Sequence, residues 1–456
     1  MQLTDDFGLL ERIADREARV GVLGLGYVGL PLVVHFAEAG FRCLGLEVKP
    51  EIVDGVMGGR SHIDDVSSER VAALVADGSL EATTDFDRLV EVDVVVICVP
   101  TPLSKVGDPD VSFIVSAAEQ VKERLRPGQL VILESTTYPG TTRELLQKTL
   151  EETGLVVGQG FFLAFSPERV DPGNPDFTIK NTPKIVGGLT EHCHELAVAL
   201  YGQIVDEVIE VSCPEAAEFA KLLENTFRAV NIGLVNEMAV IADRLGIDIW
   251  EVVDAASTKP YGFMRFTPGP GLGGHCIPVD PQYLAWKMRS LRYRTRFIEL
   301  ASEVNAEMPR YVVSKTAEAL NVAGKAVNRS RVLLLGVSYK ANVDDTRESP
   351  ALDIHKLLRE MGAVVSYHDP HVTSVRIEEE TFESVPLAAE ALEEADVVVV
   401  TTDHEDVDYD LVLERAETVV DTRNALRGRT GRAVIYPVAG PAREGSAPPL
   451  KVGSPL

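Results

Sequence analysis

Short, mostly apolar runs punctuate the first two hundred residues: RVGVLG (19–24), FRCLGLEV (41–48), DVVVICVP (93–100), LVILEST (130–136) and FFLAFSP (161–167). Each is too short for a helix and bounded by turn residues, which predicts buried strands. Between them apolar residues recur at helical spacing. LPLVVHFAEAG follows the first strand and stops at Gly40, a natural C-cap. Strand and helix alternating in this way predict a parallel sheet covered on both faces. From 214 the pattern changes. PEAAEFAKLLENTFRAVNIGLVNEMAVIADRLG keeps helical spacing for some thirty residues without a strand, and helix continues to about 257 and again over 281–320. At 330 the first pattern returns, with SRVLLLGVSYK, a helix over 350–361, then VVSYHDP (364–370), DVVVVTTD (396–403) and TVVDT (418–422). RVGVLGLGYVG echoes RVLLLGVSYK, and VDVVVICVPTP echoes ADVVVVTTDHE.

The expected fold class is therefore α/β: two Rossmann-like doubly wound domains joined by a long-helix central domain. The boundaries are 1–210, 211–322 and 323–438, and the Pro/Gly/Ser-rich tail 439–456 is expected to be disordered. At 456 residues the chain is long enough for two or three such cores. A net charge of −26 argues against nucleic acid or an anionic membrane as partner. No apolar run reaches the ~20 residues of a membrane span, and the polar, acidic N-terminus does not read as a signal peptide, so a cytoplasmic location is expected. The five cysteines (43, 98, 193, 213 and 276) are scattered, with no CxxC, so neither a disulfide framework nor a zinc site is expected. Cys43 and Cys98 fall in strand runs and read as buried small hydrophobes.

Three constellations carry chemistry. Gly24, Gly26 and Gly29 form GxGxxG between the first strand and its helix, with Tyr27 and Val28 inside the turn. The glycines allow a tight turn and close approach of a pyrophosphate to a helix N-terminus. Glu47, at the end of the second strand, stands where a carboxylate bonds the ribose hydroxyls of NAD and repels the 2′-phosphate of NADP. Thr101, Pro102, Ser135 and Thr136 follow later strand ends, where such sheets bind ligand. Lys221 and Asn225 share one face of the long helix. Spacing alone leaves two readings open, a snorkelling surface pair or two donors aimed at an oxyanion. Finally, Cys276 lies in TPGPGLGGHCIPVDP (267–281), a loop stiffened by proline and opened by glycine, including Gly273. A thiol in such a loop is presented to a ligand. His275 has no second metal ligand at useful spacing, and no metal site is expected.

GVLGLGYVGLPL, CVPTPL, ESTTYPGTT, FSPERVDPGN, KLLENTFRAVNIGLVNE, GPGLGGHCIPVDP and GVSYKANVDDTRESP occur in this order over about 18–438. Together they resemble the UDP-glucose/GDP-mannose dehydrogenase family. The resemblance implies oxidation of a sugar C6 hydroxyl to a carboxylate with two NAD, for surface polysaccharide or glycan precursors. It makes Cys276 the nucleophile that captures the aldehyde as a thiohemiacetal and then a thioester. Lys221 and Asn225 match the family's oxyanion pair, and Asp280 matches a carboxylate that assists proton transfer. Glu168, in SPER with Arg169, matches a glutamate near the reacting carbon, and Thr101 lines the same site. Lys340, Arg347 and Arg423 match positions that hold the nucleotide's uracil and phosphates. In the UDP-glucose branch a second glutamate follows the first by four residues; here that position is Pro172. That branch also takes an arginine from a partner subunit, for which Lys259 or Arg265 could substitute. The wording of the local motifs is most similar to the branch acting on UDP-N-acetylhexosamines, especially UDP-N-acetylglucosamine 6-dehydrogenases. UDP-glucose or UDP-ManNAc is the alternative substrate. The other readings are a two-electron dehydrogenase with a structural Cys276, or a non-catalytic protein that senses NAD and nucleotide. A homodimer or higher homo-oligomer built on the long helix is expected from the resemblance.

Overall fold

The structure is a computed structural model, described here for residues 7–444 apart from 64, 105, 106, 172, 173 and 175. The chain divides into two compact units, Met1–Glu224 with Gln282–Tyr293, and Asn225–Pro281 with Arg294–Leu456.

The first unit is built on eight strands: β1 Arg19–Leu23, β2 Arg42–Leu46, β3 Leu80–Thr83, β4 Val94–Ile97, β5 Leu130–Leu133, β6 Phe162–Phe165, β7 Lys184–Gly188 and β8 Val208–Glu210. Their order is β3-β2-β1-β4-β5-β6-β7-β8. The first six are parallel, in registers such as Val20↔Cys43 and Val20↔Val94, whereas β7 runs antiparallel to β6. Val94 and Val96 enter one core and Val95 and Ile97 the other, which is why these strands read as continuous apolar runs. The strand order reverses between β1 and β4, so the crevice beyond their carboxyl ends is the place for a ligand. Gly40, with φ +101, follows the helix Gly29–Glu38 as the sequence predicts. Cys43 and Cys98 are buried as expected, and burial pushes both thiols up.

The second unit carries the six-stranded sheet β10-β9-β13-β14-β15-β16. Its strands are β9 Arg331–Leu335, β10 Val364–His368, β13 Val397–Val400, β14 Thr418–Asp421, β15 Val434–Pro437 and β16 Arg443–Glu444. A hairpin, β11 Ser374–Ile377 and β12 Glu380–Glu383, stands apart. Val397 and Val399 face one core, Val398 and Val400 the other, repeating the first sheet's logic. One expectation is corrected here. Arg443 pairs with Ile435 and Glu444 with Val434, so ordered chain runs past the 439 boundary assigned to a disordered tail. Two residues of backbone pairing on a sheet edge carry no apolar pattern. The rest of that tail, 445–456, lies outside the described residues.

The long helix is Pro214–Leu245, close to the predicted bounds. The stretch expected as helix over 281–320 is two helices, Asp280–Ser290 and Arg296–Val322, with Arg292 at φ +56 in the break. Asn236 links the helices and the cysteine loop. Its Nδ2 donates to Asn305 Oδ1 (2.9 Å), its Oδ1 accepts from the Gly269 amide (2.9 Å), and Asn305 donates to the Ala229 carbonyl (3.2 Å).

His355 is fully buried on the helix Pro350–Glu360, with both ring nitrogens unpaired among the described residues and its ring edge-on to Phe382 at 4.6 Å. Burial first, and the Arg359 charge second, lower its pKa to about 4. The native protein therefore binds fewer protons than the unfolded chain between pH 6.5 and 4, and stability falls as pH falls through that window. His355→Leu is expected to melt at the same temperature or higher at pH 7 and to lose about 2 kcal/mol less between pH 6.5 and 4.5. Thermal melts across that range check it; identical pH dependence in both proteins would contradict it.

Candidate active site

The turn after β1 is built for a phosphate. Gly24 has φ +88, and a Cβ there would lie 2.6 Å from the Cys98 carbonyl oxygen. On Gly29 a Cβ would lie 1.8 Å from the Gly24 carbonyl oxygen. Both glycines are thus demanded by packing. Gly26 is different: a Cβ there would meet nothing within 4 Å. The open face at Gly26, at the mouth of the helix Gly29–Glu38, is what a pyrophosphate needs. Tyr27 beside it is exposed. Glu47 is buried and accepts from the Leu25 amide (3.0 Å) and the Val48 amide (2.9 Å), which fixes the carboxylate beside the glycine turn. These residues fit a dinucleotide. Gly26→Ala is expected to melt within a degree or two of the parent and to weaken NAD binding about tenfold, as titration calorimetry would show. Unweakened NAD binding would contradict it.

Thr101 is buried, and its carbonyl accepts from the Tyr283 hydroxyl (2.9 Å). The Ser135 hydroxyl is spent on the Val99 carbonyl (2.8 Å), and Thr136 next to it is half-buried. Glu168 follows β6. Its Oε1 accepts from the amides of Arg169 (2.8 Å) and Val170 (2.7 Å), and Lys184 Nζ lies 3.2 Å from its Oε2. Burial pushes the Glu168 carboxyl up, but Lys184, the Val170 amide and Lys221 outweigh it and leave it below the usual carboxylate range. The Arg169 guanidinium is committed to Glu224 (2.8 Å) and the Pro183 carbonyl (2.6 Å). Pro172 lies outside the described residues.

Sequence reading missed Glu218, the anchor of the long helix's first turns. Almost fully buried, it accepts from the amides of Gly140 (2.5 Å) and Thr142 (2.9 Å) and from the Thr142 hydroxyl (2.7 Å). Three residues on, Lys221 is 8% exposed, yet among the described residues its ammonium takes no hydrogen bond.

In the second unit, Asn225 is 4% exposed and donates from Nδ2 to Asp280 Oδ2 at 2.5 Å. Asp280, 2% exposed, starts the helix Asp280–Ser290, and its amide donates to the Cys276 carbonyl (2.8 Å). The sulfur-bearing residue is exposed while the acid and amide behind it are buried. The loop is fixed against the segment 338–350, which follows β9. The Gly274 amide donates to the Arg347 carbonyl (3.0 Å), and a Cβ on Gly273 would lie 2.7 Å from Tyr339 Cβ. Gly273 is therefore needed for packing.

A cleft of about 420 Å³ in this unit is lined by Arg265, Thr267, Lys340, Asp403 and Arg423, among others. Arg265 donates to Asp254 (3.0 Å), and Arg423 Nε donates to the Thr401 carbonyl (3.1 Å). Lys259 lies elsewhere, exposed, with its ammonium 5.0 Å above the Tyr261 ring. Arg347 pairs with Asp345 (2.6 Å). Sequence reading also missed buried His404 and Asp369, which shape the loop bearing Lys340. Asp369 accepts from the Val337 amide (2.7 Å), and His404 Nδ1 accepts from the Asn342 amide (3.0 Å).

Models of three consecutive domains match the chain: the NAD binding domain (18–205), central domain (215–307) and UDP binding domain (333–428) of UDP-glucose/GDP-mannose dehydrogenases. The chain belongs to the UDP-glucose/GDP-mannose dehydrogenase family. It is an NAD-dependent nucleotide-sugar dehydrogenase. Over 415 residues it is 35% identical to the UDP-N-acetyl-D-mannosamine dehydrogenase of Pyrococcus horikoshii, covering 90% of this chain and 96% of that one. Over 361 residues it is 37% identical to the UDP-N-acetyl-D-glucosamine 6-dehydrogenase of Pseudomonas aeruginosa, covering 79% and 84%. The solved structure of the Pyrococcus horikoshii UDP-D-ManNAc dehydrogenase superposes with a TM-score of 0.84 at 34% identity, covering 92% of this chain and 99% of that one. The family's two doubly wound domains and central helical domain are those predicted from the sequence. Among the described residues no helix is long and apolar enough to cross a membrane.

Proposed function

We propose that this dehydrogenase oxidises the C6 hydroxyl of a UDP-N-acetylhexosamine, UDP-GlcNAc or its C2 epimer UDP-ManNAc, through to the uronic acid, with Cys276 as covalent nucleophile. The observation that carries the reading is the turn at Cys276: an exposed cysteine whose carbonyl is closed on the amide of buried Asp280, itself bonded to Asn225. A structural cysteine would be buried; here the cysteine is exposed and the polar groups behind it are buried.

Bound NAD supplies the hydride acceptor. The chain's own residues do the rest. An aldehyde carbon gives up hydride only once a nucleophile has made it tetrahedral, which the Cys276 thiolate does by forming a thiohemiacetal. Oxidation of that adduct leaves a thioester at Cys276. Water then breaks the C–S bond, giving the carboxylate and returning the thiol. Lys221 and Asn225 donate to the oxyanion of each tetrahedral state. Asp280 accepts the proton of the attacking water. Glu168 holds a fixed negative charge beside the reacting carbon, and Arg265, Lys340 and Arg423 receive the nucleotide. The relatives named for both N-acetylhexosamine epimers support that substrate class. A panel of UDP-GlcNAc, UDP-ManNAc, UDP-GalNAc and UDP-glucose tests it. Faster turnover of an N-acetylated sugar is expected, and a preference for UDP-glucose would contradict it. A cytoplasmic location goes with this reading, and cell fractionation checks it.

The long helix supports a homodimer. Phe219, Leu223, Phe227, Leu234, Met238, Ile241 and Leu245 are all exposed and fall within one helical stripe. A stripe of this length marks an association surface. Light scattering should find the parent a dimer or larger and Phe227→Glu/Leu234→Glu a monomer; an unchanged assembly would contradict it.

A further inference from the structure

Three ionisable side chains behind Glu168 have no part in the reaction just described. Lys184 opens β7 and is 4% exposed. Its ammonium lies 3.2 Å from Glu168 Oε2 and 3.1 Å from Glu134 Oε2. Glu134 follows β5, is 1% exposed, and accepts at Oε1 from the hydroxyl of Tyr201. Tyr201 closes the helix Glu191–Tyr201 and is fully buried. The four side chains form a chain from the core to the site: Tyr201, Glu134, Lys184, Glu168.

A lone buried lysine sheds its proton and a lone buried carboxylate takes one up. Neither happens when the two are paired at hydrogen-bond distance. Glu134, with no route to solvent, serves to keep the Lys184 ammonium charged. Tyr201 in turn fixes Glu134. We propose that Lys184 is the positioning residue for Glu168, holding that carboxylate ionised and in one orientation at the reacting carbon. The proposal rests on the reading of Glu168 given above.

The charge balance is consistent with this. Burial pushes Glu134 up while Lys184 opposes it, and Lys184 itself is held above its ordinary value by the two carboxylates against its own burial. The other titratable groups facing the cluster are Lys221 from the long helix, His35 from the helix Gly29–Glu38, and the Cys98 thiol. With both glutamates ionised and Lys184 and Lys221 protonated, the cluster is neutral. Removing Lys184 leaves two buried carboxylates close together with one ammonium, and the one that faces the site takes up a proton at higher pH.

Lys184→Met alone risks unfolding for that reason, so the test uses Lys184→Met/Glu134→Gln, which removes the ammonium with its buried counter-charge. NADH production is followed against pH with the UDP-sugar turned over fastest in the panel, alongside Glu168→Gln and a thermal melt. The double variant is expected to keep KM for NAD and sugar within about threefold. Its kcat should fall about 10- to 100-fold, and the acid limb of its kcat profile should move up by a pH unit or more. Glu168→Gln should be slow and lack that limb. A folded double variant with the parent's acid limb, whatever its kcat, overturns the proposal alone. Glu168→Gln at the parent's rate overturns the reading of Glu168 and the proposal with it.

Discussion

Cys276→Ser is expected to bind NAD and UDP-sugar with the parent's affinities and to form uronic acid at least about 10³-fold more slowly. Serine has nearly the size of cysteine, and the loop's shape comes from elsewhere: Gly274 on the Arg347 carbonyl, Gly273 against Tyr339, and the Asp280 amide on the carbonyl of residue 276. None of these uses the side chain at 276. What changes is the nucleophile. A serine hydroxyl is a far weaker nucleophile than a thiol, which ionises more readily and whose sulfur is intrinsically more nucleophilic. Calorimetry for binding, with chromatography of the sugar product, separates the two effects. Uronic acid at near-normal rate would refute the covalent route, and lost binding would make Cys276 a structural residue.

Lys221→Met is expected to lower kcat about 10²- to 10³-fold while leaving the protein as stable as the parent or more so. Most substitutions at a residue 8% exposed lose stability. Here the parent residue is a largely buried lysine whose ammonium makes no hydrogen bond among the described residues, so removing it leaves no partner unsatisfied. Methionine fills nearly the same volume, so a functional lysine is recognised by activity falling while stability holds. A melting temperature lowered by more than about 5 °C would show instead that the lysine supports the fold. Glu168 next to it should feel the loss too, since Lys221 is among the charges that hold that carboxylate down.

Much of this was written in the sequence, and the reason is physical. Strands β1, β4, β5 and β9 are buried on both faces, so their apolar runs stand out. The glycine turn is visible because only glycine tolerates the backbone approaches at Gly24 and Gly29. The long helix shows through unbroken periodicity. Other elements carry weak signals. In the hairpin Ser374–Glu383 the inward residues reduce to Val375, Ile377 and the partly buried Phe382. β16 depends on backbone pairing alone. The hidden polar groups were the least legible. Lys184 stands between a proline and an apolar strand, and Glu134 ends an apolar run, so each looks like an ordinary strand-end charge; their pairing joins residues fifty apart in the chain. Glu218 and Lys221 look alike on the helix, yet one is satisfied by Gly140 and Thr142 and the other makes no hydrogen bond among the described residues. The distinction between Lys259, stacked on Tyr261, and Arg265, lining the cleft, likewise follows from the folded loop rather than from spacing to Cys276.

The central claim is that one active site carries the sugar alcohol through an enzyme-bound thioester to the acid. Counting NADH formed per sugar consumed, at full conversion of the best UDP-sugar, tests it most directly. Two NADH per sugar, with uronic acid as the product and no free aldehyde, is the predicted result. One NADH per sugar, with aldehyde accumulating, would contradict it.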